Sequence, residues 1–218
     1  MAKRQAQPPA KAPPKTRTVA PRTWWRVHSF DPLTGKYGPV AFNSSATSQA
    51  RFSPLFGAKG AVIPAIYAAQ SLEGALMETV LHNVPFPSSG YQHDFKQDRE
   101  GASHVSQVST TSALTLVDLT TPGLQAMGLC PSDLFESNKR DYPRTQRWAG
   151  WFHGQCATAH GLYKVSRRYN EAAVMVLYAD RVPSGTLKEV VAPRHVRHYE
   201  STTLDLVERL GGSAKPEP

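Results

Sequence analysis

The chain has 218 residues, 40% of them hydrophobic and 9% aromatic, enough for one domain with a real core and tight for two. No run of 18 apolar residues occurs and no apolar segment follows the N-terminus, so neither a transmembrane helix nor a secretory leader is expected. The formal charge of +8 is uneven: six of the 25 basic residues (Lys3, Arg4, Lys11, Lys15, Arg17, Arg22) lie in residues 1–23, which hold no acid, and the other 19 face 17 acidic residues, whereas a nucleic-acid-binding fold would carry its charge on the core.

Residues 1–23 are rich in Pro, Ala and Lys without hydrophobic period and read as a disordered basic tail; residues 211–218 (GGSAKPEP) read the same way, which leaves 24–210 as the folded domain. TWWRVHSF is β-branched and aromatic and predicts a strand. FDPLTGKYGP is a turn-rich loop, and ARFSPLFGAKGAVIP a loop beside a short strand. AIYAAQ predicts a strand, Ser71 an N-cap, and LEGALMETVLHNV a helix that ends before Pro85. Residues 86–112 are rich in Ser, Gln, His and Asp and read as a long polar loop with at most one strand. ALTLVDLT is a strong strand, PGLQAMGL a short helix, and YPRTQRWAGWFHGQCATAH a longer helix with Trp148, Trp151, Phe152 and Gln155 on one face. GLYKVS, AAVMVLYAD and TLKEVVAPRHVRHY are strand-like, and TTLDLVERLG is a closing helix capped by Gly211. Strands and helices do not alternate regularly, so a mixed α/β or α+β domain is expected over a doubly wound sheet.

Several chemistries lack their motif. FGAKGAV misses the Gly-Lys-Ser/Thr of a P-loop, and neither GxGxxG nor GxSxG occurs. Cys130 and Cys156 form no CxxC and no zinc spacing; they read as free thiols in a reducing compartment, and a cytoplasmic protein follows. His195 and His198 fall on opposite faces of a strand, while His153 and His160 share a helix face; without neighbouring ligands, no metal site is expected.

One residue stands out. In ALMETVL, Glu78 lies among uncharged residues. On a helical wheel Leu72, Ala75, Leu76, Thr79 and Val80 form one stripe and Met77 and Leu81 lie opposite, with Glu78 in the gap beside Gly74, whose missing side chain leaves space. A carboxylate in such a helix reaches water at an edge, or faces a cleft with a partner. Arg26 and Arg51 are the candidate partners: each sits among large apolar residues (WWRVHSF, ARFSP), where an arginine either snorkels or meets a carboxylate or phosphate.

WWRVHSF, ARFSPLFG, AIYAAQSLEGALMETV, LTLVDLT and GLYKVSRR, in this order over Trp24–Tyr199, resemble the RES-domain family, named for its arginine, glutamate and serine. The third stretch is the most specific. The resemblance implies an ADP-ribosyltransferase-like fold with a mixed β-sheet core packed by helices. It also implies a toxin of a type II toxin–antitoxin pair that takes NAD as substrate and breaks its nicotinamide–ribose bond by hydrolysis or phosphorolysis. The implied partner is a helix-turn-helix (Xre-type) antitoxin that occludes the active site. Membrane contact is not implied, nucleic acid enters only through the antitoxin, and a homo-oligomer stays open. Carried over by motif, Glu78, Arg26 and Ser166 are the catalytic residues, and Arg26, Arg51, Tyr67 and Ser166 bind NAD. Arg26, in the first strand, is the better candidate for the name-giving arginine; Ser53 and Ser71 are poorer serines than Ser166. Residues 86–112 read as an insertion into shorter members.

The chemistry suits these residues. Breaking the N-glycosidic bond leaves oxocarbenium-like charge on the ribose, which a fixed carboxylate (Glu78) stabilises near C1′ or the 2′-hydroxyl. Arginine forks suit the diphosphate, Tyr67 can stack on a ring or bond the ribose, and Ser166 can position the ribose or amide without acting as nucleophile. No metal is needed. Two other readings remain: a protein ADP-ribosyltransferase on the same scaffold, and a non-enzymatic nucleic-acid- or partner-binding protein that uses the basic tail.

Overall fold

The computed structural model describes residues 12–48, 50–85, 90–135 and 141–216, apart from the side chain of residue 58. In chain order the elements are β1 (Thr16–Val19), β2 (Thr23–Ser29), β3 (Leu55–Phe56), β4 (Val62–Ile63), β5 (Ala65–Ala69), α1 (Leu72–Glu78), β6 (Gln92–His93), α2 (Phe95–Glu100), β7 (Ser103–Thr110), β8 (Leu114–Asp118), α3 (Thr121–Ala126), α4 (Pro131–Leu134), α5 (Tyr142–Gln155), β9 (Gly161–Val165), β10 (Ala173–Tyr178), β11 (Leu187–His195), α6 (Glu200–Arg209) and β12 (Ser213–Ala214). Eight strands form one mixed sheet in the order β1-β8-β9-β10-β5-β2-β7-β11, in which only β8 and β9 run parallel. The expected mixed α/β architecture is therefore the one observed. Its central strand β10, AVMVLY, is buried at every position, as suits a β-branched run covered on both faces.

Alternation along the strands splits the core. Val117, Leu162, Val176 and Tyr178 pack with Leu124, Trp148 and Phe152 of α3 and α5 on one face; Trp24, Ile66, Ala68, Met175 and Leu177 form the other. Beyond β5, Leu76 and Met77 of α1 and Leu206 and Val207 of α6 pack with Val105 of β7.

Three expectations change. Thr16–Val19 lies within the expected tail but pairs with β8 from Thr16↔Val117 to Val19↔Leu114; its Thr-Arg-Thr-Val pattern is a strand hidden among prolines and lysines. Residues 1–11 lie outside the described residues. At the other end, Ser213–Ala214 pairs in parallel with Gln92–His93. The segment 86–112 is not a long polar loop: it supplies α2 and the eight-residue strand β7, held between β2 and β11, while residues 86–89 lie outside the described residues. Val105 and Val108 of β7 face opposite cores, so its apolar residues show no period of two.

Helix ends also differ. The helix α1 stops at Glu78 rather than before Pro85, because Thr79 leaves the helical region (φ −129°, ψ −76°) and its hydroxyl bonds back to Ala75 O at 2.6 Å. Helix α5 ends at Gln155, which leaves His160 off the helix and apart from His153. The outer strand β11 carries register shifts between Glu189 and Val191 and between Val191 and Arg194, and its side chains are largely exposed. Gly211 follows α6 with φ +81°, the left-handed position that glycine fills at a helix end.

Candidate functional site

The site arises where the sheet splits. Among the described residues, β2 and β5 pair only at Trp25↔Ala69; four residues further back, Ala65 pairs with loop residue Asn43. Between these two pairs the strands diverge and enclose a cleft of about 820 Å³, within the ~300–1,000 Å³ usual for small-molecule sites. The ladder alternates: Gln70 N bonds Ala173 O and Ala65 bonds Asn43, so residues 65, 67 and 69 turn their backbone groups away from β10. The same alternation on β2, where Thr110 N bonds Arg22 O, turns Val27 away from β7. Val27 and Tyr67 therefore present open backbone edges to the cleft.

Arg26, Arg51, Tyr67 and Glu78 all line this cleft, so the split brings together four of the five residues picked from the sequence. Because it divides the sheet, it collects side chains from both faces: Arg26 lies on the Trp24 face of β2, while Tyr67 faces the helices. The fifth, Ser166, is 1% exposed and lies behind the wall.

Glu78 is the last residue of α1. The start of that helix is fixed by Ser71, whose hydroxyl accepts from Gly74 N at 3.1 Å. Gly74 does not make space for the carboxylate; a Cβ there would come within 2.5 Å of Ala172 Cβ, so the glycine lets α1 lie against the strand–turn behind it. A carboxylate at a helix C-terminus meets the negative end of the dipole and needs compensation. Neither arginine supplies the ion pair. It comes from Lys164 of β9, whose Nζ donates to both oxygens of Glu78 at 2.9 Å, and the Ser166 hydroxyl donates to Oε1 at 2.7 Å. Burial alone would raise the Glu78 carboxyl; the charge and hydrogen bonds of Lys164 and the Ser166 hydroxyl outweigh it and hold the carboxyl below the ordinary range. Ser166 itself accepts from Arg168 N and Tyr169 N, so the turn after β9 fixes its hydroxyl.

The arginines bond to backbone carbonyls. Arg26 is 7% exposed; its Nη1 donates to Pro39 O and Ala41 O, while its Nε is buried without a hydrogen-bond partner among the described residues. Burial lowers its pKa to about 10. Next to it His28 bonds Tyr37 O through Nδ1 (2.8 Å) and Ser106 through Nε2 (2.8 Å). Burial, then the charge of Arg26, push the His28 pKa down to about 4, so the ring is neutral at pH 7. Arg51 donates to Leu134 O at 2.9 Å and lies over the Tyr142 ring. Helix α5 sets its place: Thr145 donates to Arg51 O at 2.6 Å, and Gln146 to Ala50 O and Ser53 O. Tyr67 lines the cleft, but its hydroxyl is engaged, donating to Ser53 and accepting from Phe52 N, both at 3.2 Å. Burial raises its pKa, and what Tyr67 offers the cleft is its aromatic ring rather than a free hydroxyl.

Lys164 was missed because it falls inside GLYKVS and meets Glu78 86 residues away in sequence. Tyr37 was missed as part of a turn; it lines the cleft at φ +59° and is 65% exposed. Among the described residues no group of three or more His, Cys, Asp or Glu side chains converges, and no helix is long and apolar enough to cross a membrane.

The RES-domain family model matches residues 23–206. Among solved structures the chain is similar to one in the crystal structure of the M. tuberculosis MbcT–MbcA toxin–antitoxin complex, at 20% identity and a TM-score of 0.58, covering 84% of this chain and 90% of that one. No curated protein matches.

Proposed function

The chain belongs to the RES-domain family, and from that premise we propose that it is a toxin that depletes cellular NAD by cleaving the nicotinamide–ribose bond. The observation that carries the reading is the ionised Glu78 on the wall of a substrate-sized cleft with Arg26 and Arg51. Nicotinamide leaves as a neutral base, so the bond breaks without a general acid; what the site must stabilise is positive charge at the ribose. Glu78 supplies a fixed negative charge there, and Ser166 acts through it by holding Oε1. The Tyr67 ring stacks on a base, and the open edges of Val27 and Tyr67 offer the donor and acceptor that a carboxamide needs. Arg51 and Arg26 favour the diphosphate through charge. For Arg26 this requires that it leave, or share, its loop carbonyls.

Similarity in fold to a chain of a toxin–antitoxin complex supports the toxin half of the reading. The partner proposed is an Xre-type antitoxin that occludes the cleft, and the place of action is the cytoplasm. The test is incubation with NAD, with and without phosphate, and product identification by mass spectrometry. ADP-ribose indicates hydrolysis, ADP-ribose phosphate indicates phosphorolysis, and a modified protein indicates ADP-ribosyl transfer. Turnover by the native chain and its loss in Glu78→Gln are expected; NAD left intact under all conditions overturns the proposal.

A further inference from the structure

The bond pattern around Glu78 singles out Lys164. A carboxylate has about four acceptor positions. The Lys164 ammonium occupies one on each oxygen and Ser166 a second on Oε1, which leaves one, on Oε2. Lys164 is 4% exposed, and its strand is buried at that position, so its ammonium has little other solvation. Two donors, Lys164 on β9 and Ser166 in the turn just after it, thus fix the plane of a carboxylate on another element. Ser166 contributes no charge, and Arg51 and Arg168 face Glu78 while donating to Leu134 O and Val84 O. His82 also faces the carboxylate, from the segment after α1, and pairs with Tyr142 OH at 3.1 Å.

We propose that Lys164 is a positioning residue: by bridging both Glu78 oxygens it holds the carboxylate ionised and oriented, with one Oε2 acceptor position kept for a substrate hydroxyl. The inference rests on Glu78 as the group that faces the ribose. Lys164 also lines the cleft, but its ammonium is committed to both Glu78 oxygens, so the role assigned to it runs through that carboxylate, and this separates its effect from that of the cleft arginines. The lysine also has a cost, since a cation at 2.9 Å offsets part of the negative field of Glu78. A bound hydroxyl on Oε2 receives a carboxylate of fixed direction rather than one of full strength.

The test compares native protein with Lys164→Met, Lys164→Gln and Lys164→Arg, after thermal melts show which variants fold. In Lys164→Met, kcat should fall up to about 100-fold with KM little changed, because orientation is lost and not binding. The acid limb of its kcat profile should move up by about 1–3 pH units, the usual effect of a charge partner on a carboxylate. Lys164→Arg should recover part of both, and Lys164→Gln should keep a donor but show the shifted limb. A parallel 13C NMR titration of the Glu78 carboxyl, assigned with Glu78→Gln, keeps His82 from being mistaken for it and does not depend on turnover. If native protein leaves NAD intact while the carboxyl titration still moves in Lys164→Gln, the NAD reading fails and the role of Lys164 in holding the carboxylate stands. An unmoved titration, or a rise in KM with an unchanged pH profile, overturns the proposal.

Discussion

The two walls of the cleft are built differently. On the β5–β10 side, Glu78, Lys164 and Ser166 bond side chain to side chain, from a helix end, a strand and the turn that follows it. On the β2 side, Arg26 and His28 reach from a strand to the carbonyls of Pro39, Ala41 and Tyr37 in a loop that exposes Leu33 (95%) and Tyr37 (65%). The first wall is fixed by charges that satisfy each other. The second is fixed by donors lent to a loop, and such bonds can be exchanged for those of a ligand. A site with one rigid and one exchangeable wall can hold a reacting group still while admitting a large molecule.

The largest expected effect that tests this contrast is on the rigid wall. Glu78→Gln should lower turnover by about 100-fold or more and also lower the melting temperature, because it leaves the Lys164 ammonium facing a neutral amide. Arg26→Lys should instead leave the global melt nearly unchanged while amide exchange at residues 37–41 accelerates, as read by hydrogen–deuterium mass spectrometry. Equal changes in both walls for both variants would erase the contrast. Next comes the seat of α1: Gly74→Ala should cost about 1–3 kcal/mol through overpacking against Ala172, measured by denaturant titration.

The smallest effect is a difference in acid sensitivity. The folded pKa of His28 is about 4, below its ordinary 6.5, so the unfolded chain takes up a proton first as pH falls. Stability contributed by the β2 wall should therefore decline from about pH 6.5 to about pH 4, and His28→Gln should remove that slope. The Glu78 carboxyl is held below its ordinary 4.5, so its contribution is fully present above that pH and is lost only as pH falls through the lower folded value. Exchange at residues 37–41 that stays flat over the first range would count against the assignment.

The sequence carried the parts whose signal is local. The Ser71 cap, the aromatic strand at Thr23–Ser29 and a charge in an apolar helix are readable within a few residues. The Lys164–Glu78 pair is not, since it depends on which strand follows which across the sheet. Strand β7 was hidden because it is covered on both faces and uses Ser106 and His104 as inward residues, a pattern that reads as polar loop. The role of Gly74 was misread because a wheel shows which residues neighbour each other and not what lies beyond the helix. The split between β2 and β5 has no local signal at all; it is a property of two strands that stop pairing after Trp25 and Ala69.

The bulged outer strand has a consequence for how copies of this protein meet in a crowded cell. A sheet that ends in a straight, apolar strand invites a neighbour's strand to continue it. Here the last strand slips register twice, exposes Lys188 and Glu189, and carries Pro193, which has no N–H to offer. The molecule thereby closes its own sheet at that edge, and association through added strands is discouraged.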